Sequence, residues 1–330
     1  MPQINIKKLS TDSPLKTGQY LTSRKHFFNS SKLFDAQITD VFDYLWPTVT
    51  ALKNLRWQVN GYYHLSEAQT NEELSRMFVD PKDKSNRPNL YRICISDAWE
   101  EQERQVAKSL LINLIACFET WCEMILADLQ VSKQKKEKFQ FPVKCPSFVA
   151  GVCNPMSTVL KDSYYNVYKI CNKESDYSHI DNYLTVFRYF KECRNALLHS
   201  TGVINSAVFN LYTQVNAFTA TDLDVKEKPE VFGGNIGDPL NYSLRGVVGF
   251  AQILLKIVSV LDIELIQSKQ AEQYYISHIK KTMKQRRYGK VGPQKVGKIV
   301  KEISSRHFFY GPQKTNNLYT FLQNNGIIGK

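Results

Sequence analysis

Between Ala98 and Leu129 the sequence reads AWEEQERQVAKSLLINLIACFETWCEMILADL. Apolar residues recur every three or four positions, at Val106, Leu110, Leu111, Leu114, Ile115, Phe118, Trp121, Cys122, Ile125, Leu126 and Leu129. That period buries one face of an α-helix; a strand would alternate every second residue. The acidic first turns suit the positive end of a helix dipole. A stripe this long sets the expected fold class as mainly α.

Other segments agree. Leu33, Phe34, Ile38, Val41, Phe42, Leu45 and Trp46 follow helical spacing, and Pro47 predicts a kink or split before a second helix from Leu52 to about Tyr63. Thr70-Asn71-Glu72-Glu73 is a capping-box pattern opening a short helix through Phe78. The stretch 141–158, with three prolines, reads as a loop, and a helix is expected over Met156–Cys171. Ile180–His199 reads as a helix with Leu184, Phe187, Tyr189, Phe190, Cys193 and Leu197 inward, and Gly202 as the residue that closes it. Val203–Ala220 alternates loosely, as a short hairpin would. Asn241–Gln267 reads as a long apolar helix, and Lys269–Arg287 as a basic one. The division expected is a loose arm over 1–30, an N-terminal helical region over 31–90, a helical core over 91–268 and a basic helical segment over 269–330.

Charge separates the last of these from the rest. The chain carries +12 overall. Residues 269–330 hold thirteen Lys or Arg against two acids, Glu272 and Glu302, a net of +11. A near-neutral body with a basic end points to an anionic partner, nucleic acid before a membrane surface. The seven cysteines are odd in number and form no C-x-x-C pair, so they read as small buried hydrophobes in a reducing compartment. The first 25 residues show no secretory leader, and the apolar run Gly246–Ile266 is interrupted by Gln252, Lys256, Asp262 and Glu264. The expected location is the cytoplasm, with no membrane partner.

One segment looks chemical: Arg194-Asn195-Ala196-Leu197-Leu198-His199, at a helix end. At about 100° per residue, five positions leave Arg194 and His199 roughly 140° apart on an unbroken helix. They converge on one substrate only if the helix end relaxes or if two copies face each other. Taken alone, the pair also fits a helix-capping His199 and a surface Arg194 paired with Glu192 or another acid.

The segment resembles the R-N-x-x-x-H motif of the HEPN superfamily. Ala116-Cys117-Phe118-Glu119 is similar to the apolar-apolar-Phe-Glu signature on that family's early long helix. Ser200-Thr201-Gly202 matches its Gly-containing turn after the motif histidine, and Gly237-Asp238 with Asn241–Gln267 matches its final loop and helix. The resemblance covers about 98–268. It implies a HEPN-like antiparallel helical bundle, here with an N-terminal helical extension and a basic helical tail. It also implies a homodimer whose two motifs line one composite cleft, and a metal-independent endoribonuclease, often a toxin or anti-phage defence effector.

The residue types suit that chemistry. RNA carries its own nucleophile, the 2′-OH, so neither metal nor other cofactor is required. A histidine serves as proton acceptor or donor near neutral pH, and an arginine fork stabilises charge on the phosphorane. The roles expected are His199 as general base or acid, Arg194 as phosphate orienter, Asn195 orienting the histidine or the phosphate, and Glu119 pairing with Arg194 or lining the same cleft. Products would carry a 2′,3′-cyclic phosphate and a 5′-OH. In the tail, Lys280, Lys281, Lys284, Arg286, Arg287 and Lys290 are the candidate RNA-backbone contacts, with Tyr274, Tyr275 and Tyr288 as stacking platforms. The competing function is a non-catalytic HEPN module that binds RNA or a partner protein. A regulatory partner fits either reading.

Overall fold

The computed structural model describes residues 25–66, 70–79, 88–140, 144–172, 176–199, 202–283 and 288–329. Among these, all regular structure is helical; strand-like pairing is limited to isolated bridges such as Val203 with Pro239.

Helix α1 spans Asn29–Leu65 and continues through Pro47, where the sequence predicts a break. A proline removes the bond to the carbonyl four residues back. That carbonyl belongs to Asp43, and Asp43, Trp46 and Pro47 are all exposed, so water can serve the freed oxygen.

The start of α1 corrects a second expectation. Residues 1–24 of the expected arm lie outside the described residues, but its end is firmly held. Phe27 and Phe28 are fully buried. Their N–H groups donate to the two carboxylate oxygens of Asp262 at 2.7 and 3.1 Å. The Asn29 N–H donates to Tyr274 Oη at 2.8 Å, and the Ser30 N–H to Asp128 Oδ2 at 3.2 Å. The first N–H groups of a helix have no intrahelical partner; here three distant parts of the chain supply the acceptors.

Helix α2, Asn71–Phe78, opens with the predicted capping box: Thr70 Oγ1 accepts from the Glu73 N–H, and Glu73 Oε2 from the Thr70 N–H. A wide helical turn, Arg92–Ser96, leads into α3, Trp99–Asp128. Val59, Leu74, Leu90 and Cys94 make a satellite core under the second half of α1. The apolar stripe of α3 from Leu110 to Leu126 is buried; each large side chain removed from water stabilises by about 1.5–3 kcal/mol.

Two short helices follow, α4 (Glu137–Gln140) and α5 (Cys145–Val152), the second in a stretch predicted as loop. Pro146 sits in its first turn, where a missing N–H costs little. The helix expected over 156–171 forms as α6 (Thr158–Leu160), a wide turn and α7 (Asn166–Cys171). Helix α8, Ile180–His199, has the bounds its periodicity predicts.

Helix α9, Ser206–Ala217, replaces the predicted hairpin. Asn205 Oδ1 caps it by accepting from the Val208 N–H at 2.9 Å. Val208 and Val215 are buried seven positions apart, a helical spacing that the intervening Phe209, Leu211 and Tyr212 obscure.

Helix α10, Leu244–Leu265, is the central element. Both α3 and α10 are long and apolar enough to cross a membrane, but 83% of the apolar window of α10 is buried inside the fold, as in a core helix. Its two buried charges are partnered: Lys256 Nζ lies 2.9 Å from Asp224 Oδ2, and Asp262 holds the start of α1. The rings of Phe118 and Phe187 lie 4.6 Å apart and those of Phe190 and Phe250 stack at 4.4 Å, joining α3, α8 and α10 in one core.

Helices α11 (Lys269–Thr282), α12 (Val296–Arg306) and α13 (Thr315–Asn324) complete the chain. Tyr164 Oη lies 2.8 Å from Tyr275 Oη and 2.6 Å from Ser304 Oγ, a buried network that ties α11 and α12 to the body.

Candidate active site

Arg194 and Asn195 lie half-buried on the last turns of α8, and His199 is its exposed final residue. Because α8 is helical through His199, the relaxed helix end that would bring Arg194 and His199 together in one chain does not occur. The two side chains leave the helix in different directions.

Arg194 is held from two sides. Its Nη2 lies 3.3 Å from Glu119 Oε2 on α3, and its Nη1 donates to Asn195 Oδ1 at 3.1 Å. The expected contact between Glu119 and Arg194 is therefore present. The alternative partner, Glu192, instead pairs with Arg188 at 2.9 Å. Arg194 Nε is buried and donates to no described group, so the guanidinium is positioned but not saturated.

Sequence reasoning missed a second cation at this carboxylate. Lys191 Nζ sits 3.5 Å from Glu119 Oε1 and donates to Gln140 Oε1. Burial pulls its ammonium below its ordinary value, against the opposing pull of Glu119. The signal was in the sequence: Lys191 precedes Arg194 by three positions, which places both on one helix face. Glu119 thus serves two cations, and all three side chains are at most about a quarter exposed.

Nearby cysteines are chemically quiet. Cys193 is buried, and burial pushes its thiol up to about 12; burial also raises the Cys122 thiol. All seven cysteines are free. Among the described residues, no group of three or more His, Cys, Asp or Glu side chains is arranged to hold a metal ion.

Past His199 the chain turns at Gly202, whose φ of +76° lies in the left-handed region. The Gly202 N–H returns to the Ala196 carbonyl at 3.1 Å, closing the helix as predicted. The turn is tied to the loop before α10. The Leu240 N–H donates to the Gly202 carbonyl at 2.8 Å, and Ile204 exchanges hydrogen bonds with Gly237 and Asp238. Tyr242 Oη donates to the Cys193 carbonyl at 3.0 Å. A cleft of about 470 Å³ opens between this turn and α3.

The basic end is only partly described. Lys280 and Lys281, on the last turn of α11, and Lys290 are exposed. Lys284, Arg286 and Arg287 lie outside the described residues. Two expected stacking platforms are corrected. Tyr275 is fully buried and Tyr274 is 8% exposed; their rings pack among Phe27, Phe28 and Phe309 in the core. The aromatic face of α11 points inward because the start of α1 and the segment around Phe309 cover it. Tyr288 is half-buried, with Oη 3.1 Å from His307 Nε2.

No family model matches this chain, and neither does any curated protein or solved structure.

Proposed function

We propose that this chain is a metal-independent endoribonuclease of HEPN type, with Arg194, Asn195 and His199 as its chemical residues. The observation that carries the reading is the disposition of α8. A guanidinium is fixed by a carboxylate from a second helix, and a solvent-facing imidazole stands one and a half turns further on. In this reading Arg194 orients the scissile phosphate and stabilises the charge gained by its oxygens. His199 takes the proton of the 2′-OH as that oxygen attacks phosphorus, or gives one to the departing 5′ oxygen. Glu119 and Asn195 fix the guanidinium, and Lys191 keeps Glu119 from being consumed by one partner alone. The divergence of Arg194 and His199 within one chain requires a second copy, so that Arg194 of one protomer and His199 of its partner meet one phosphate. Cellular roles as a toxin or anti-phage effector belong to the same proposal by analogy.

The same divergence favours a second reading, a module that binds RNA or a partner protein without cutting. Paired oligonucleotides of one sequence, all-RNA and all-deoxy, separate the two. The nuclease reading predicts cleavage of the RNA alone, with cyclic phosphate ends, abolished in His199→Ala. Binding without cleavage by the wild type supports the module.

A further inference from the structure

We propose that the cleft beside Gly202 is a nucleotide subsite, with Lys108 contacting a phosphate of the bound strand. The proposal rests on the ribonuclease reading and names how that site would hold its substrate.

The cleft shares residues with the motif helix. Leu197 on the last turn of α8 and Gly202 in the closing turn line one side, Glu101, Arg104 and Lys108 on α3 the other, and Pro239 and Asn241 help complete the lining. Its volume of about 470 Å³ falls within the usual range for small-ligand sites, about 300–1,000 Å³. Leu197 and the exposed ring of Pro239 offer an apolar surface for a base, and Asn241 offers an amide donor and acceptor for its edge. The wall formed by residues 202–204 and 237–240 is fixed by backbone hydrogen bonds between the two segments. A site held this way loses little freedom on binding.

The two cations of the cleft are not equivalent. Arg104 is engaged by Glu101 one turn before it on α3. Lys108 forms no ion pair or hydrogen bond with any described residue, although it is half-buried. An ammonium held against a cleft wall beside a motif that handles phosphate suits a second phosphate of the same strand. Gly202 adds no side chain at the mouth, and its carbonyl is already occupied by Leu240. Of the two cations, Lys108 is therefore the one with binding capacity left.

The test uses a short 2′-O-methyl RNA, which binds but cannot be cut, and unmodified RNA of the same sequence, with full-length wild type, Lys108→Ala, Lys108→Arg and His199→Ala. The subsite predicts that Lys108→Ala weakens binding of the methylated strand by about tenfold and lowers its salt slope by about 0.7. Lys108→Arg should keep binding near the wild-type level, and His199→Ala should abolish cutting of the unmodified strand. On cleavable RNA, Lys108→Ala should raise KM with kcat retained. Wild-type binding by Lys108→Ala, or no binding by any of the proteins, overturns the subsite whether or not the wild type cuts RNA. Lys108-dependent binding with no cleavage by the wild type supports the cleft as a nucleotide site and removes the ribonuclease reading alone.

Discussion

The Nη2 of Arg194 lies 3.3 Å from Oε2 of Glu119, joining the end of α8 to the middle of α3 across 75 positions of sequence. The same carboxylate receives Lys191. Removing it leaves two partly buried cations facing each other. Glu119→Ala is expected to destabilise the fold by about 2–4 kcal/mol, read as a lower urea midpoint with an unchanged slope. Glu119→Gln should recover part of that stability. An unaltered midpoint in Glu119→Ala would show that the pair is only a solvent contact.

Gly202→Ala should cost about 1 kcal/mol. The added Cβ would meet Leu197 Cδ2 at 3.7 Å, an ordinary contact, so the cost comes from the left-handed backbone and not from crowding. A shift in thermal midpoint of a few degrees accompanied by loss of RNA binding would tie the turn to the neighbouring cleft.

Asp128 gives a pH dependence with a definite sign. Burial raises its carboxyl above the ordinary value, outweighing its hydrogen bonds from Ser30, and Asp262 nearby adds to the rise. The folded state therefore binds this proton more tightly than the unfolded chain does. The resulting stability is complete below the unfolded value, near pH 4 or so, and is lost as pH rises through the folded one. Asp128→Asn removes the titration. The stability of the wild type minus that of the variant should fall as pH rises through this window, measured by denaturation at a series of pH values. A difference independent of pH would contradict it.

Much of the fold is legible in the sequence alone. The stripe of α3, both ends of α8, the capping box at Thr70 and the closing role of Gly202 are encoded by residues within a few positions of one another. Other features have no local signal. The start of α1 is held by Asp262, 235 positions from Phe27, so nothing near Phe27 announces its burial. Tyr274 and Tyr275 sit on a basic helix whose inward face is decided by α1 and Phe309. At Pro47 the rule for helix interiors yields to solvent exposure. In the site, the contact of Glu119 with Arg194 was readable from a carboxylate set among apolar neighbours, which needs a partner, and Lys191 from its spacing. The cleft required the fold, because Lys108 and Asn241 come from distant segments.

Exposed Lys280 and Lys281 should contribute electrostatically if the basic end grips RNA. Reversing both, Lys280→Glu with Lys281→Glu, should weaken RNA binding for all sequences alike. It should also lower the dependence of log K on log salt by about 0.7 for each phosphate that is no longer neutralised. Equal salt slopes for wild type and variant would assign these lysines to solubility.

The most direct test of the central claim is cleavage of total cellular RNA in EDTA by wild type and His199→Ala, with the new ends mapped. Cutting by the wild type alone, leaving 2′,3′-cyclic phosphate and 5′-OH ends, is the predicted result. Equal cutting by both proteins, or intact RNA with both, would contradict an active site built on His199.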